Sequence, residues 1–334
     1  MSMLNGGLDH KLELHILELK LRVTNIKKDA IGSYTHALIK IALLPHSCPK
    51  FFSFTETKGG YTVIVEDNLY SELPKGESID VADPIWRVLT VSAGALGSHK
   101  LTGISKIVKT VISPLADNNI SVLIISTYQS DYVLVKDFDL QTAIKCLSCN
   151  FKIFMETPSG LESIEVSIGD RMEGMLKKND ISDHRPIKHP LTCLHNRFHI
   201  SSVDMQMVQT LMPIILDFMF YSSSKPKLAE GYEIFFHLSI VEGDITLVLD
   251  NESLSRFPSG SLHTSNSDEC WRMLRIGDSP LGFDESGVAA QVAEPLADAQ
   301  MTAYYISTYA LGHTLIPEGE ISHALEILDS LKVS

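Results

Sequence analysis

The chain has 334 residues, 44% of them hydrophobic and 21% charged, with a formal net charge of −13. This is the profile of an ordinary globular protein with two to four small domains. The acidic balance, with no Lys/Arg-rich run interleaved with aromatics, excludes an extended nucleic-acid surface. The longest apolar stretch, 211–220, is interrupted by Asp217 and is too short to cross a bilayer. The N-terminus is polar and lacks a signal-peptide core, so a cytosolic protein without membrane contact is expected. Five cysteines, an odd number, fit a reducing compartment. Cys146 and Cys149 have metal-ligand spacing, but only Cys193 and His195 stand near enough in sequence to complete a site, and a closed zinc site needs four ligands. No metal and no cofactor is expected.

In chain order, apolar and polar side chains alternate over 13–23, as in a half-exposed strand. A helix follows over 34–44, then a hairpin of 51–54 with 61–65 turning at Gly59-Gly60. A strand is expected at 86–91. Ile104, Ile107, Val108, Val111 and Ile112 then fall at helical spacing. Strands at 120–126 and 131–135 lead to a helix over 140–147 that Asp139 would cap, and 151–155 supplies another strand. The order β-α-β-β-α-β is that of a ferredoxin-like unit. Residues 157–195, rich in Ser, Asp, Lys, Pro and Gly, read as a linker, mobile beyond about residue 163. A strand over 197–203, an Asp204 cap and a mostly apolar helix over 205–220, kinked at Pro213, come next. From Trp271 the β-α-β-β-α-β order returns, with helices expected at 286–294 and 321–331 and strands near 302–307.

The two halves repeat one another. Pro114-Leu115-Ala116-Asp117 and Ile125-Ser126-Thr127-Tyr128 recur as Pro295-Leu296-Ala297-Asp298 and Ile306-Ser307-Thr308-Tyr309, at an offset of 181 (295 − 114 and 306 − 125). Of the fifteen positions from Pro114 to Tyr128, eight are identical in the second copy; unrelated segments would share about one. Trp86-Arg87 returns as Trp271-Arg272 at offset 185, and Phe51-Phe52, Gly59 and Thr62 return as Phe235-Phe236, Gly243 and Thr246 at offset 184. The fold class that follows is α+β, four ferredoxin-like units in two tandem pairs: 11–78 and 82–156, the linker 157–195, then 196–262 and 268–334. Paired similar lobes make a cleft between them.

No catalytic constellation emerges: no P-loop, nucleophile elbow, His-Glu-x-x-His helix or dinucleotide fingerprint. An enzyme is not expected. The candidate site is the loop Leu281-Gly282-Phe283-Asp284-Glu285-Ser286-Gly287, which joins a strand to an amphipathic helix. Orphan N–H groups at such a helix start receive a carboxylate, and Glu285 beside them would hold an ammonium. Together these fit the constant part of an amino acid.

The repeated units resemble ACT domains, modules that bind amino acids where their sheets pair. Phe51-Phe52-Ser53-Phe54-Thr55-Glu56-Thr57, the stretch 114–129, Trp271-Arg272-Met273-Leu274-Arg275-Ile276-Gly277, 280–285 and 304–308 are similar to the CASTOR family of cytosolic arginine sensors acting on the TOR kinase pathway. The resemblance implies a homodimer that binds and inhibits a GATOR-type complex until arginine, bound between the second and fourth units, releases it. It places Ser121 and Val122 at the ligand's amino-acid head, Gly282, Glu285, Val288 and Ala289 opposite, and the carbonyls of Thr308, Tyr309 and Leu311 at its side chain, with His189 folding over. Tyr128, Gln129 and Asp131 correspond to the family's GATOR-contacting patch. The family's acidic partner of the guanidinium falls at Gly312, and a family His near the ligand falls at Asn118. The head site is therefore expected to be kept and the arginine-specific end lost, so that arginine binds weakly or not at all and a neutral amino acid, or none, is the ligand. The alternatives are an ACT-type regulatory subunit of an amino-acid metabolic enzyme, and a constitutive scaffold with a vestigial pocket.

Overall fold

The computed structural model describes residues 12–44, 49–92, 107–167, 185–221, 231–264 and 270–332. The expected Ile104 position of the second helix lies outside them.

The chain opens with strand β1 (Leu12–Ile26), helix α1 (Ile31–Ala42), the hairpin β2 (Phe51–Thr57) and β3 (Gly60–Glu66), and a short β4 (Ile79–Val81). After β5 (Trp86–Ser92), a π-helical turn Val108–Ile112 runs into α2 (Ser113–Asp117). Next come β6 (Val122–Ser126), β7 (Asp131–Lys136), α3 (Leu140–Leu147), β8 (Phe151–Thr157) and β9 (Gly160–Ile164). The second half comprises β10 (Leu191–Val203), α4 (Val208–Phe220), β11 (Phe236–Val241), β12 (Asp244–Asp250), β13 (Leu262–Thr264), β14 (Trp271–Ile276), α5 (Val288–Asp298), β15 (Tyr304–Ser307), β16 (Gly312–Pro317) and α6 (Ile321–Asp329).

Most expected elements occur within a few residues of their expected bounds, and the departures have local causes. The segment read as a linker carries β9, which hairpins onto β8, and the first five residues of β10. Asp139 precedes α3 but its side chain makes no cap hydrogen bond, whereas Asp204 does accept from the Gln206 amide at 2.8 Å. The helix expected from 286 starts at Val288, because Gly287 holds the left-handed conformation (φ 77°) as its N-cap.

Among the described residues, all sixteen strands belong to one sheet, and it closes on itself: β3 pairs with both β2 and β1, completing the path β2-β11-β12-β10-β14-β16-β15-β6-β7-β5-β1-β3. Closure removes most free edges. The two long strands do the joining. β1 pairs through its C-terminal part with β3 and β4 and through its N-terminal part with β5. β10 pairs likewise with β12 and β13, and with β14. Their irregularities match: the register shifts between Ile16 and Lys20 in one and between Cys193 and Arg197 in the other, both at offset 177 (193 − 16 and 197 − 20). β8 therefore lies beside β1, parallel to it, instead of beside β5 as a self-contained βαββαβ unit requires.

Helices cover the outside in two patches, one over α1 and α4, the other over α2, α3, α5 and α6. A third core fills the inside, where opposite walls touch. Phe51 meets Tyr132 edge-on at 5.9 Å between ring centroids, and Phe235 meets His313 at 5.0 Å.

Candidate functional site

The repeated Ile-Ser-Thr-Tyr motif builds the seam between the halves, and each of its residues has a structural task. Ile125 pairs with Ile306, its own copy, as strands on a local twofold axis must. The next residue crosses over: the Ile124 amide donates to Ser307 Oγ at 2.9 Å and the Tyr305 amide to Ser126 Oγ at 3.0 Å. Thr127 and Thr308 each donate through Oγ1 to a carbonyl three residues on, at 2.8 Å, fixing the turns that follow. The Tyr128 amide then donates across the interior to Thr246 Oγ1 at 2.9 Å, and the Tyr309 amide to Thr62 Oγ1 at 3.0 Å. Thr62 and Thr246 are themselves copies at offset 184. A second axis runs through β2 and β11, where Phe54 pairs with its copy Leu238.

On one side of the β6–β15 seam lies a small cavity of about 60 Å³. Nine of the residues singled out in the sequence line it: Val122, Gly282, Glu285, Val288, Ala289, Thr308, Tyr309, Leu311 and Gly312. Ser121 is buried just before β6 and does not reach the lining. His189 stands at the rim, its Nε2 2.8 Å from Glu285 Oε1. First-turn N–H groups of α5 have no intrahelical partner, and its first two residues, Val288 and Ala289, line the same cavity as Glu285. A carboxylate and an ammonium can thus be met side by side, the ammonium in competition with His189. The far end is apolar, walled by Ile276, Leu281 and Leu311 around Gly312. His313, behind it, is held neutral: burial pushes its pKa down to about 4.

Two contacts that sequence reasoning missed hold the 281–285 loop over this cavity, and a third braces the helix that follows it. Phe283 wedges between Trp86 (5.7 Å between centroids) and Tyr309 (5.1 Å). The nearly buried Lys136 reaches from β7 to Asp284 Oδ1 at 2.6 Å, and its ammonium keeps that carboxyl below its ordinary pKa. Arg185 pairs with Asp117 and Glu294, tying α2 to α5. The conjunction of the sole two tryptophans with the repeat was the available signal for the first. The second candidate patch is already engaged within the chain: Gln129 Nε2 donates to Asp244 Oδ1 at 2.9 Å, while Tyr128 and Asp131 are half-buried. Asn118 bonds the Pro114 carbonyl (2.9 Å) and Cys146 Sγ (3.2 Å) and does not line the cavity. Among the described residues, no disulfide joins the four cysteines and no cluster of metal-ligating side chains occurs.

Family models match four stretches of the chain: "Cytosolic arginine sensor for mTORC1 subunit 1 N-terminal domain" over 20–79, an ACT domain over 81–149 and again over 266–330, and "Cytosolic arginine sensor for mTORC1 subunit 1/2, ACT-like" over 189–266. The cytosolic arginine sensor for mTORC1 subunit 1 of Homo sapiens is 41% identical over 324 residues, covering 95% of this chain and 97% of its own length. The Mus musculus protein of the same description is 42% identical over 325 residues, covering 95% and 96%. The chain belongs to this family. A solved aspartate kinase from Synechocystis aligns with 97% of the chain and 57% of its own length at 12% identity and a TM-score of 0.31, too low to carry any argument. For a member of the arginine-sensor family the fold is α+β with ACT-domain segments, and among the described residues no helix is long and apolar enough to cross a membrane.

Proposed function

We propose that this protein is a non-catalytic, cytosolic amino-acid sensor of the TOR pathway, built from four ACT-type units. Its ligand sits in the cavity beside the β6–β15 seam, with the carboxylate at the start of α5 and the ammonium on Glu285. Carrying this reading is the convergence on one cavity of the helix start, the loop carboxylate and the edge of the other repeat's strand. The names of the relatives support the amino-acid class and the pathway. The cavity has room for only a few waters, at about 10–15 Å³ each. Ligand entry therefore moves the 281–285 loop outward and breaks the His189–Glu285 contact, which couples occupancy to the shape of the surface around Tyr309.

The apolar wall around Gly312 favours a neutral side chain over arginine, because a guanidinium buried there meets no carboxylate. In this reading the unliganded protein is a homodimer that holds a GATOR-type complex through Tyr128, Gln129 and Asp131, and the bound amino acid releases it.

Calorimetry of the full chain against the twenty amino acids tests the ligand. Saturable binding of a neutral amino acid, lost in Glu285→Gln, is expected; tight arginine binding would overturn the specificity argument. Affinity capture with and without that amino acid tests the partner. Recovery of a metabolic enzyme in place of a GATOR-type component would favour the regulatory-subunit alternative.

A further inference from the structure

The seam axis that relates Ile125 to Ile306 has a cavity on each side. Adding 181 to Val122, Thr127, Ser130, Asp131 and Tyr132 gives Ala303, Thr308, Leu311, Gly312 and His313. On that correspondence the cavity already described has a twin, lined by Ala303, Thr127, Ser130, Asp131 and Tyr132. The twin is wider, about 310 Å³, at the lower end of the range of small-molecule sites. Residues 93–106, the stretch in which the counterpart of the 282–287 loop falls, lie outside the described residues.

The two cavities differ at the corresponding position. Where the first has Gly312 and apolar neighbours, the twin has Asp131, joined by Glu156 from β8 and Glu242 from the β11–β12 turn. Among the described lining residues there is no Lys or Arg, and His15 is the lone nitrogen base. Two carboxylates have contacts of their own: Glu156 Oε2 accepts from the Glu18 amide at 3.3 Å, and Glu242 Oε2 from the Tyr132 hydroxyl at 3.4 Å. Burial pushes the Asp131 carboxyl up to about 6, against a hydrogen bond from Ser126, so it gains from a compensating cation.

The independent sign is Tyr304. Its side chain is 3% exposed, it lines the twin, and its hydroxyl has no hydrogen-bond partner among the described residues. A buried hydroxyl left unpaired is costly, and an N–H donor in the cavity would satisfy it.

We infer that the twin cavity binds a small organic cation, a guanidinium or primary ammonium group, through the Asp131 carboxylate and the Tyr304 hydroxyl, with Glu242 and Glu156 adding to the field. The chemistry favours a cation without its own carboxylate, since no cationic side chain waits for one. This site does not depend on the first cavity's being an amino-acid site, but it shares Gln129 and Asp131 with the proposed GATOR-contacting patch, so a bound cation and that partner compete for Asp131.

The test is calorimetric titration of the full chain with agmatine, a guanidinium without a carboxylate, alongside putrescine and L-arginine. Saturable agmatine binding is expected, weakened about a hundredfold by Asp131→Asn and about tenfold by Tyr304→Phe, in keeping with hydrogen bonds to charged groups. Glu242→Gln, a change on a turn, weakens it severalfold and serves where a buried substitution unfolds the chain. Absence of saturable binding by all three compounds would overturn the inference. So would agmatine affinity unchanged in folded Asp131→Asn or Glu242→Gln, which would place the cation elsewhere.

Discussion

Gly312→Asp is the substitution on which the specificity argument can be broken. Gly312 has ordinary backbone angles, so an L residue fits without strain, and a Cβ placed there meets Ile276 Cδ1 at 3.3 Å. That is a tight contact with the mobile end of one side chain, so the added methylene costs about 1 kcal/mol, the low end for an overpacked site. The new carboxylate enters an end of the cavity walled by Ile276, Leu281 and Leu311. Without a cation its burial destabilises the protein by about 1–3 kcal/mol. With arginine bound, charge-assisted hydrogen bonds to the guanidinium contribute about 1.5–3 kcal/mol. That corresponds to about tenfold to a hundredfold tighter binding. Calorimetry should show arginine affinity rising by at least tenfold and neutral amino acids weakening, while thermal unfolding without ligand shifts down. If the variant folds and binds arginine no better than the parent, the ligand's side chain does not point at residue 312, and the whole orientation fails.

Three further outcomes follow from the same geometry. Ser126→Ala together with Ser307→Ala leaves the buried Ile124 and Tyr305 amides without their acceptors; at about 1–3 kcal/mol each, urea unfolding should show about 2–6 kcal/mol lost, and an unchanged midpoint would mean that backbone pairing replaces them. Phe283→Ala unseats the loop from Trp86 and Tyr309; stability should fall by about 1–2 kcal/mol and the ligand's dissociation rate rise, read by stopped-flow. His237 and His313, both fully inside, have pKa values pushed down mainly by burial, to about 3 and about 4. Folded, they stay neutral while the unfolded chain takes up protons below its ordinary His value, so stability is full above about pH 6.5 and drains away as pH falls toward 4. Asp131, raised to about 6, acts in the opposite sense between about pH 4 and 6 but is one group against two. Urea midpoints should therefore drop from pH 7 to pH 4, and less so in His237→Asn; a flat profile would refute the account.

What the sequence made legible was local and periodic. The Ile-Ser-Thr-Tyr repeat stood out because each of its residues serves the symmetry, and identical tasks on two sides of an axis hold identical residues in place. Alternation over 13–23 announced β1 but not that its two ends serve different neighbours, because sharing a strand leaves no trace in its pattern. The early part of β10 was hidden for the same reason, and because 157–195 is polar in bulk while Leu191, Cys193 and Leu194 are too few to show a period. The loop at 281–287 was found through Gly282 and Gly287, whose positive φ (73° and 77°) the turn requires. The contacts that close it, from Lys136, Arg185 and His189, come from far along the chain and could be seen only in three dimensions.

Duplication explains why one fold offers two unlike cavities. An axis through Ile125 and Ile306 obliges the backbone to repeat, but it places no such demand on side chains that never cross it. Serines 126 and 307 bond across the axis and are the same residue in both copies; Asp131 and Gly312, six residues off the axis in each strand hairpin, are free to differ and do. A charge lost from one cavity and present in the other changes ligand preference without touching the seam. It follows that Asp131→Gly should weaken cation binding in the twin while leaving the unfolding transition cooperative, whereas any change at Ser126 or Ser307 should disturb both cavities together.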